Sequence, residues 1–149
     1  MKELKRKIER FKPIIKIRKT DLDREAVCLS KIRSFKREAM ENLKKFQTQY
    51  MEGVSQLNEE RQSKDRGKLA SLERGVDYSK NRWHESLAYL RQIEIQERAQ
   101  IAQVLKAERD LKSIEKLTER YVGQLKEVED KEDQAVSDEA ALRGHGGGR

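Results

Sequence analysis

The sequence predicts an all-α protein, a long two-helix antiparallel coiled-coil hairpin, and three observations carry that expectation. Of 149 residues, 35% are hydrophobic and 41% charged, too few apolar groups for a thick core but enough to line a narrow seam between helices. About half of the chain is Ala, Glu, Lys, Leu or Arg, while there is one proline and there are eight glycines. Sandwiches, barrels and doubly wound sheets need more turn residues and more β-branched strands. Third, the apolar residues recur every seven positions over most of the length, a rhythm that only helices sustain.

The first helix is expected over about residues 13–60. Pro13 fits its first turn, where a missing N–H costs nothing; an extended helix through residues 1–12, kinked at Pro13, is the alternative. From Leu22 the a positions read Leu22, Leu29, Lys36, Leu43, Tyr50 and Leu57, and the d positions Glu25, Ile32, Ala39, Phe46 and Gly53. Eight of these eleven are apolar, the signature of a buried seam.

The reversal falls at about residues 61–67. Asn58–Gly67 contains no apolar residue and ends in glycine. The second helix, about residues 68–142, carries a positions Leu69, Val76, Trp83, Leu90, Glu97, Val104, Leu111, Thr118 and Leu125. Its d positions are Leu72, Ser79, Ser86, Ile93, Gln100, Ala107, Ile114, Tyr121 and Val128, so thirteen of eighteen are apolar. Gly75 and Gly123 weaken it locally by roughly 1 kcal/mol each relative to Ala. Such a helix would be on the order of 100 Å long at 1.5 Å per residue. Residues 1–143 form one hairpin in this reading, and Gly144–Arg149 (GHGGGR) is a helix stop with a flexible tail. Folding back near residue 65 pairs positions whose numbers add to about 130, placing Phe46 near Trp83, Leu43 near Leu87 and Leu29 near Ile101. A parallel dimer of long helices is the rival, because heptads alone do not set chain direction.

Charge is unevenly distributed. Residues 1–19 hold nine basic and two acidic side chains, a surplus equal to the whole formal net charge of +7. Residues 127–142 hold seven acids (Glu127, Glu129, Asp130, Glu132, Asp133, Asp138, Glu139) against Lys131. Either run is a solvated helix surface or a landing surface for a charged partner. One such partner for residues 1–19 is nucleic acid or an anionic membrane, since Leu4, Ile8, Phe11 and Ile15 share a helical face with basic neighbours. Phe11 is the only aromatic there, and no stacking platform accompanies it.

No constellation for catalysis, metal or cofactor is expected. Cys28 stands alone, which excludes an intrachain disulfide and a cysteine zinc cluster and fits a reducing compartment. His84 and His145 lack carboxylates or thiols at ligand spacing. The GHGGGR tail has neither the strand before nor the helix after that a phosphate loop requires. The carboxylates have no water-excluded cleft in which to act. No apolar stretch approaches the roughly 18 residues of a membrane span, and the N-terminus lacks the features of a secretory signal. A cytoplasmic, non-enzymatic protein is expected.

Two segments carry a resemblance. Phe11-Lys12-Pro13-Ile14-Ile15-Lys16-Ile17-Arg18 is similar to an opening pattern with an apolar residue two before proline, then V/L-L-x-L-R. Residues 108–120 (ERDLKSIEKLTER) resemble a recurrent E-K-L-x-E-R helix, followed by an acidic run ending in Asp138-Glu139-Ala140. In order, spacing and total length these resemble the FliJ family of the bacterial flagellar type III export apparatus, with the injectisome stalk proteins of the YscO type close in form. The resemblance implies a protein of flagellum biogenesis, and so of motility and chemotaxis. It implies a coiled coil in the centre of an export ATPase hexamer, reaching a membrane export gate and binding export chaperones. Nucleic acid is no partner in that reading, and association with the inner membrane is peripheral, through the partners. For ATPase docking it points to Phe11, Ile14, Ile17, Lys16, Arg18 and Lys19 with Leu111, Ile114 and Leu117. An apolar–aromatic–Tyr run of the family's first helix matches Leu43, Phe46 and Tyr50, and the gate-contacting start of its second helix suggests Leu72, Val76, Tyr78 and Trp83. No family counterpart of the tail is recognised, and it is assigned no role.

Overall fold

A computed structural model describes residues 1–63 and 66–146. They form two helices, α1 (Lys2–Gln62) and α2 (Arg66–Gly146), an all-α helical hairpin without strands among the described residues. The chain reverses between Gln62 and Arg66, where Lys64 and Asp65 of the expected turn lie outside the described residues. At the end of α1 the Ser63 N–H donates to the Glu60 carbonyl at 3.0 Å, and its hydroxyl donates to Glu60 Oε2 at 3.0 Å. The first of these bonds occupies a backbone carbonyl that a helix end otherwise leaves to water.

Two boundaries differ from expectation. Helix α1 begins at Lys2, eleven residues before the expected start, and runs through Pro13. An interior proline removes one backbone bond and crowds the carbonyl four residues back, at about 3 kcal/mol. Pro13 and Glu9 are both exposed. The heptad frame extended upstream places Leu4, Ile8, Phe11 and Ile15 on the seam, and all four are half-buried, which offsets the cost. Helix α2 likewise continues to Gly146, past the glycine expected to stop it. Gly144 does not take the positive φ that a glycine cap uses, and Arg143 reaches back to Glu139 at 3.4 Å. Gly147–Arg149, the rest of the expected flexible tail, lie outside the described residues.

The packing divides into two compact units, Met1–Arg24 with Leu105–Arg149, and Glu25–Val104. In the second unit every a and d position of both heptad frames is buried or half-buried. Ala39, Leu90 and Ile93 form its buried centre, with Ile32 and Leu43 packed against them. Equivalent positions meet: Tyr50 with Trp83, and Lys36 with Glu97, are all a residues. The ring beside Trp83 is therefore Tyr50, at 5.4 Å between centroids, while Phe46, at d, lies 4.9 Å beneath the Arg82 guanidinium. In the first unit Phe11 and Tyr121, both at d, stack at 5.6 Å. There α2 runs on beyond Val128, its last half-buried seam residue, and residues 129–144 are exposed throughout.

Candidate functional site

In the unit built from Met1–Arg24 and Leu105–Arg149, the heptad phase sorts the apolar residues of the basic arm between seam and solvent. Phe11 falls on the seam, where its ring stacks on Tyr121 and Lys7 Nζ sits 5.2 Å from the same ring. Ile14 and Ile17 fall outside it and remain 37% and 58% exposed. Lys16, Arg18 and Lys19 are exposed around them. Across from Ile14 and Arg18, α2 supplies Asp110, Ser113, Ile114 and Leu117, and together they line a shallow open groove of about 270 Å³. Leu111 and Ile114 are half-buried at a and d, and Leu117 is half-buried at the seam's edge. The arrangement brings Ile14, Arg18, Ile114 and Leu117 together at one surface and turns Phe11 away from it.

The electrostatics of this surface follow from register. Its ion pairs stay within one helix: Lys12 with Glu9 at 2.7 Å, Arg18 with Asp21 at 3.8 Å, and Arg143 with Glu139. Among the described residues no ion pair joins α1 to α2 in this unit. Lys7 and Phe11 lie beside Tyr121, so the acidic residues after Val128 have no basic stretch of α1 opposite them. The arm's positive field is left largely uncompensated, and such fields attract acidic partners over roughly a Debye length of 8–10 Å.

In the unit Glu25–Val104, the candidates Leu43, Phe46, Tyr50, Leu72, Val76 and Trp83 are all half-buried in the seam. Tyr50, Trp83 and His84 form one run of rings, with Trp83 stacked on His84 at 5.7 Å, and Arg82 lies over the Phe46 ring. Val76 packs on Gly53, where an added Cβ would lie 3.1 Å from Val76 Cγ2. Tyr78 alone of this set points outward, 64% exposed.

Sequence reasoning missed the polar layers of this unit. Lys36 Nζ donates to Glu97 Oε1 at 3.0 Å, and Arg33 adds a second pair at 3.6 Å. Gln100 Nε2 donates to the Glu25 backbone carbonyl at 3.0 Å and closely to its carboxylate. Lys36, Glu97, Glu25 and Gln100 are the seam's long polar residues, and their meeting satisfies groups that are costly to leave unpaired. The signal was present, since each interrupts an apolar frame, but pairing them requires the register.

Among the described residues no helix is long and apolar enough to cross a membrane. Comparison with curated proteins and with solved structures gives no match. A family model, that of the flagellar FliJ protein, matches residues 6–149, nearly the whole chain. An all-α hairpin with a heptad seam along both helices, carrying that match, belongs to the flagellar FliJ protein family and is a coiled-coil protein related to flagellar type III protein export.

Proposed function

We propose that this chain is a non-enzymatic, stalk-like component of the export apparatus that links the export ATPase hexamer to the membrane export gate and binds export chaperones. The observation that supports it best is the uncompensated basic arm with Ile14 and Ile17 exposed among its cations. A ring of identical subunits must hold a central element without fixed rotational register. Distributed exposed charge around two or three apolar anchors suits that task, because attraction then depends weakly on angle. Lys16, Arg18 and Lys19 supply the charge, Ile14 and Ile17 the protruding anchors, and Leu111, Ile114 and Leu117 the α2 side. Phe11 serves by holding the arm on Tyr121 rather than by touching the ring. The seam cluster of Leu43, Phe46, Tyr50 and Trp83, with Leu72, Val76 and the exposed Tyr78, is the candidate surface toward the gate. Chaperone binding rests on the family alone. In this reading the protein works in the cytoplasm, reaches the inner membrane through its partners and needs no cofactor.

The test is capture of the cognate ATPase by the full chain, run beside circular dichroism. Reversing Lys16, Arg18 and Lys19 to Glu weakens capture while leaving helicity and melting nearly unchanged, because exposed charges contribute about 0–1 kcal/mol per pair. Undiminished capture by the charge-reversed chain would show that docking lies elsewhere.

A further inference from the structure

Helix α2 carries a second heptad stripe that the hairpin does not use. In the unit Glu25–Val104, the c and f positions of α2 read Ala88, Gln92, Ile95, Ala99 and Ala102, spaced four, three, four and three residues apart. All five are exposed, Ile95 by 58%, and none is charged. The stripe continues upstream through Asn81 to Tyr78, interrupted only by Glu85, which pairs with Arg82 at 3.5 Å. In the same unit six of the eleven c and f positions of α1 are charged: Lys31, Glu38, Glu41, Lys45, Glu52 and Glu59. That contrast matters in a chain that is 41% charged, where an outward helix face is expected to be charged.

The two borders of the stripe differ. One is uncharged, with Tyr89, Gln96 and Gln103 exposed. Tyr89, Gln92 and Gln96 there meet Phe35, Ile32 and Ile93 around an open groove of about 240 Å³, large enough to receive a side chain. The other border carries Arg91 and Arg98, both exposed, and neither takes part in an ion pair with another described residue.

We propose that this stripe seats a helix of another protein, one with small and apolar residues in heptad spacing and acidic side chains along a single edge. Spacing of four and three residues is what a packed helix requires of its partner, and Ala88, Ala99 and Ala102 allow close approach. The acidic edge lies against Arg91 and Arg98, and the uncharged edge against Tyr89, Gln96 and Gln103. A second copy of this chain fits poorly in the antiparallel sense. Pairing about Ile95 sets Arg91 against Arg98 of the other copy, a repulsive contact. The inference rests on this face alone and is independent of the docking of the basic arm.

The experiment uses the full chain with two synthetic peptides of roughly four heptads, Ala and Leu on the seam, one carrying Glu along one edge and the other Lys. Calorimetry is expected to show the Glu-edged peptide binding tighter by about three- to tenfold at low salt. Ile95→Glu abolishes binding of both, and Arg91→Glu with Arg98→Glu reverses the preference. These residues are exposed, so circular dichroism of both variants matches the wild type. Equal affinity for the two peptides, no binding of either, or undiminished binding by Ile95→Glu overturns the proposal. A wild-type dimer in sedimentation that Ile95→Glu dissolves also overturns it, by naming a second copy as the occupant.

Discussion

Removing Glu97 tests whether the polar layer of the seam is held by pairing or only tolerated. Its side chain is 15% exposed and accepts from Lys36 at 3.0 Å, whose own side chain is 29% exposed. Arg33, three residues away on α1, is the second cation on the same carboxylate. In Glu97→Ala the Lys36 ammonium keeps its partly dry position without an acceptor and stands beside a like charge. A lost hydrogen bond to a charged group costs about 1.5–3 kcal/mol. In a chain of this length each kcal/mol moves the midpoint by roughly 2–4 °C, so melting should fall by about 3–12 °C. Replacing both Lys36 and Glu97 by Leu should act in the opposite direction. The layer then joins Leu29, Ile32, Leu43 and Leu90 in an apolar seam, and such exchanges are neutral or stabilising by up to about 4 kcal/mol. The accompanying loss is specificity: with the polar layer gone, shifted or intermolecular pairings compete, visible as a mixed oligomeric state. Circular dichroism melts and urea titrations of the wild type, Glu97→Ala and the double leucine variant measure both effects. A wild-type midpoint for Glu97→Ala, or a double leucine variant less stable than Glu97→Ala, refutes the reasoning.

Three further outcomes are expected. Gly75→Ala and Gly123→Ala should each stabilise by roughly 1 kcal/mol, since an added Cβ meets nothing within 4 Å; Gly53→Ala should gain less, because Val76 must move, and should recover the gain in a Val76→Ala background. Leu43→Ala and Phe46→Ala should loosen the hairpin toward the lower end of the 2–5 kcal/mol range, roughly 2–3 kcal/mol each, as both are only half-buried; urea midpoints check this. Binding of DNA or anionic vesicles by residues 1–19 should be confined to low salt and vanish at about 0.15 M, because the arm's only aromatic is stacked on Tyr121 rather than free for bases. Affinity that persists at physiological salt would favour nucleic acid or lipid as the arm's partner.

The seam was legible in the amino-acid order because burial in a coiled coil is a property of one helix face. A period near 3.5 brings a and d to the same side whatever the partner, so the frames begun at Leu22 and Leu69 name residues that are buried or half-buried. Helix ends were less legible. Pro13 and Gly144 are local breakers by propensity, yet Leu4, Ile8, Phe11 and Ile15 bury enough apolar surface to carry α1 through the first. At the second, helix propagation carries α2 on to Gly146. Register belonged to the tertiary structure alone. Only facing helices show that Lys36 meets Glu97, that Glu25 meets Gln100, and that Phe11 is held on Tyr121 while Ile14 and Ile17 stay in solvent. The same holds for the stripe from Ala88 to Ala102. Its residues and spacing stand in the sequence, but a heptad becomes a free surface only once another heptad on the same helix is known to be occupied.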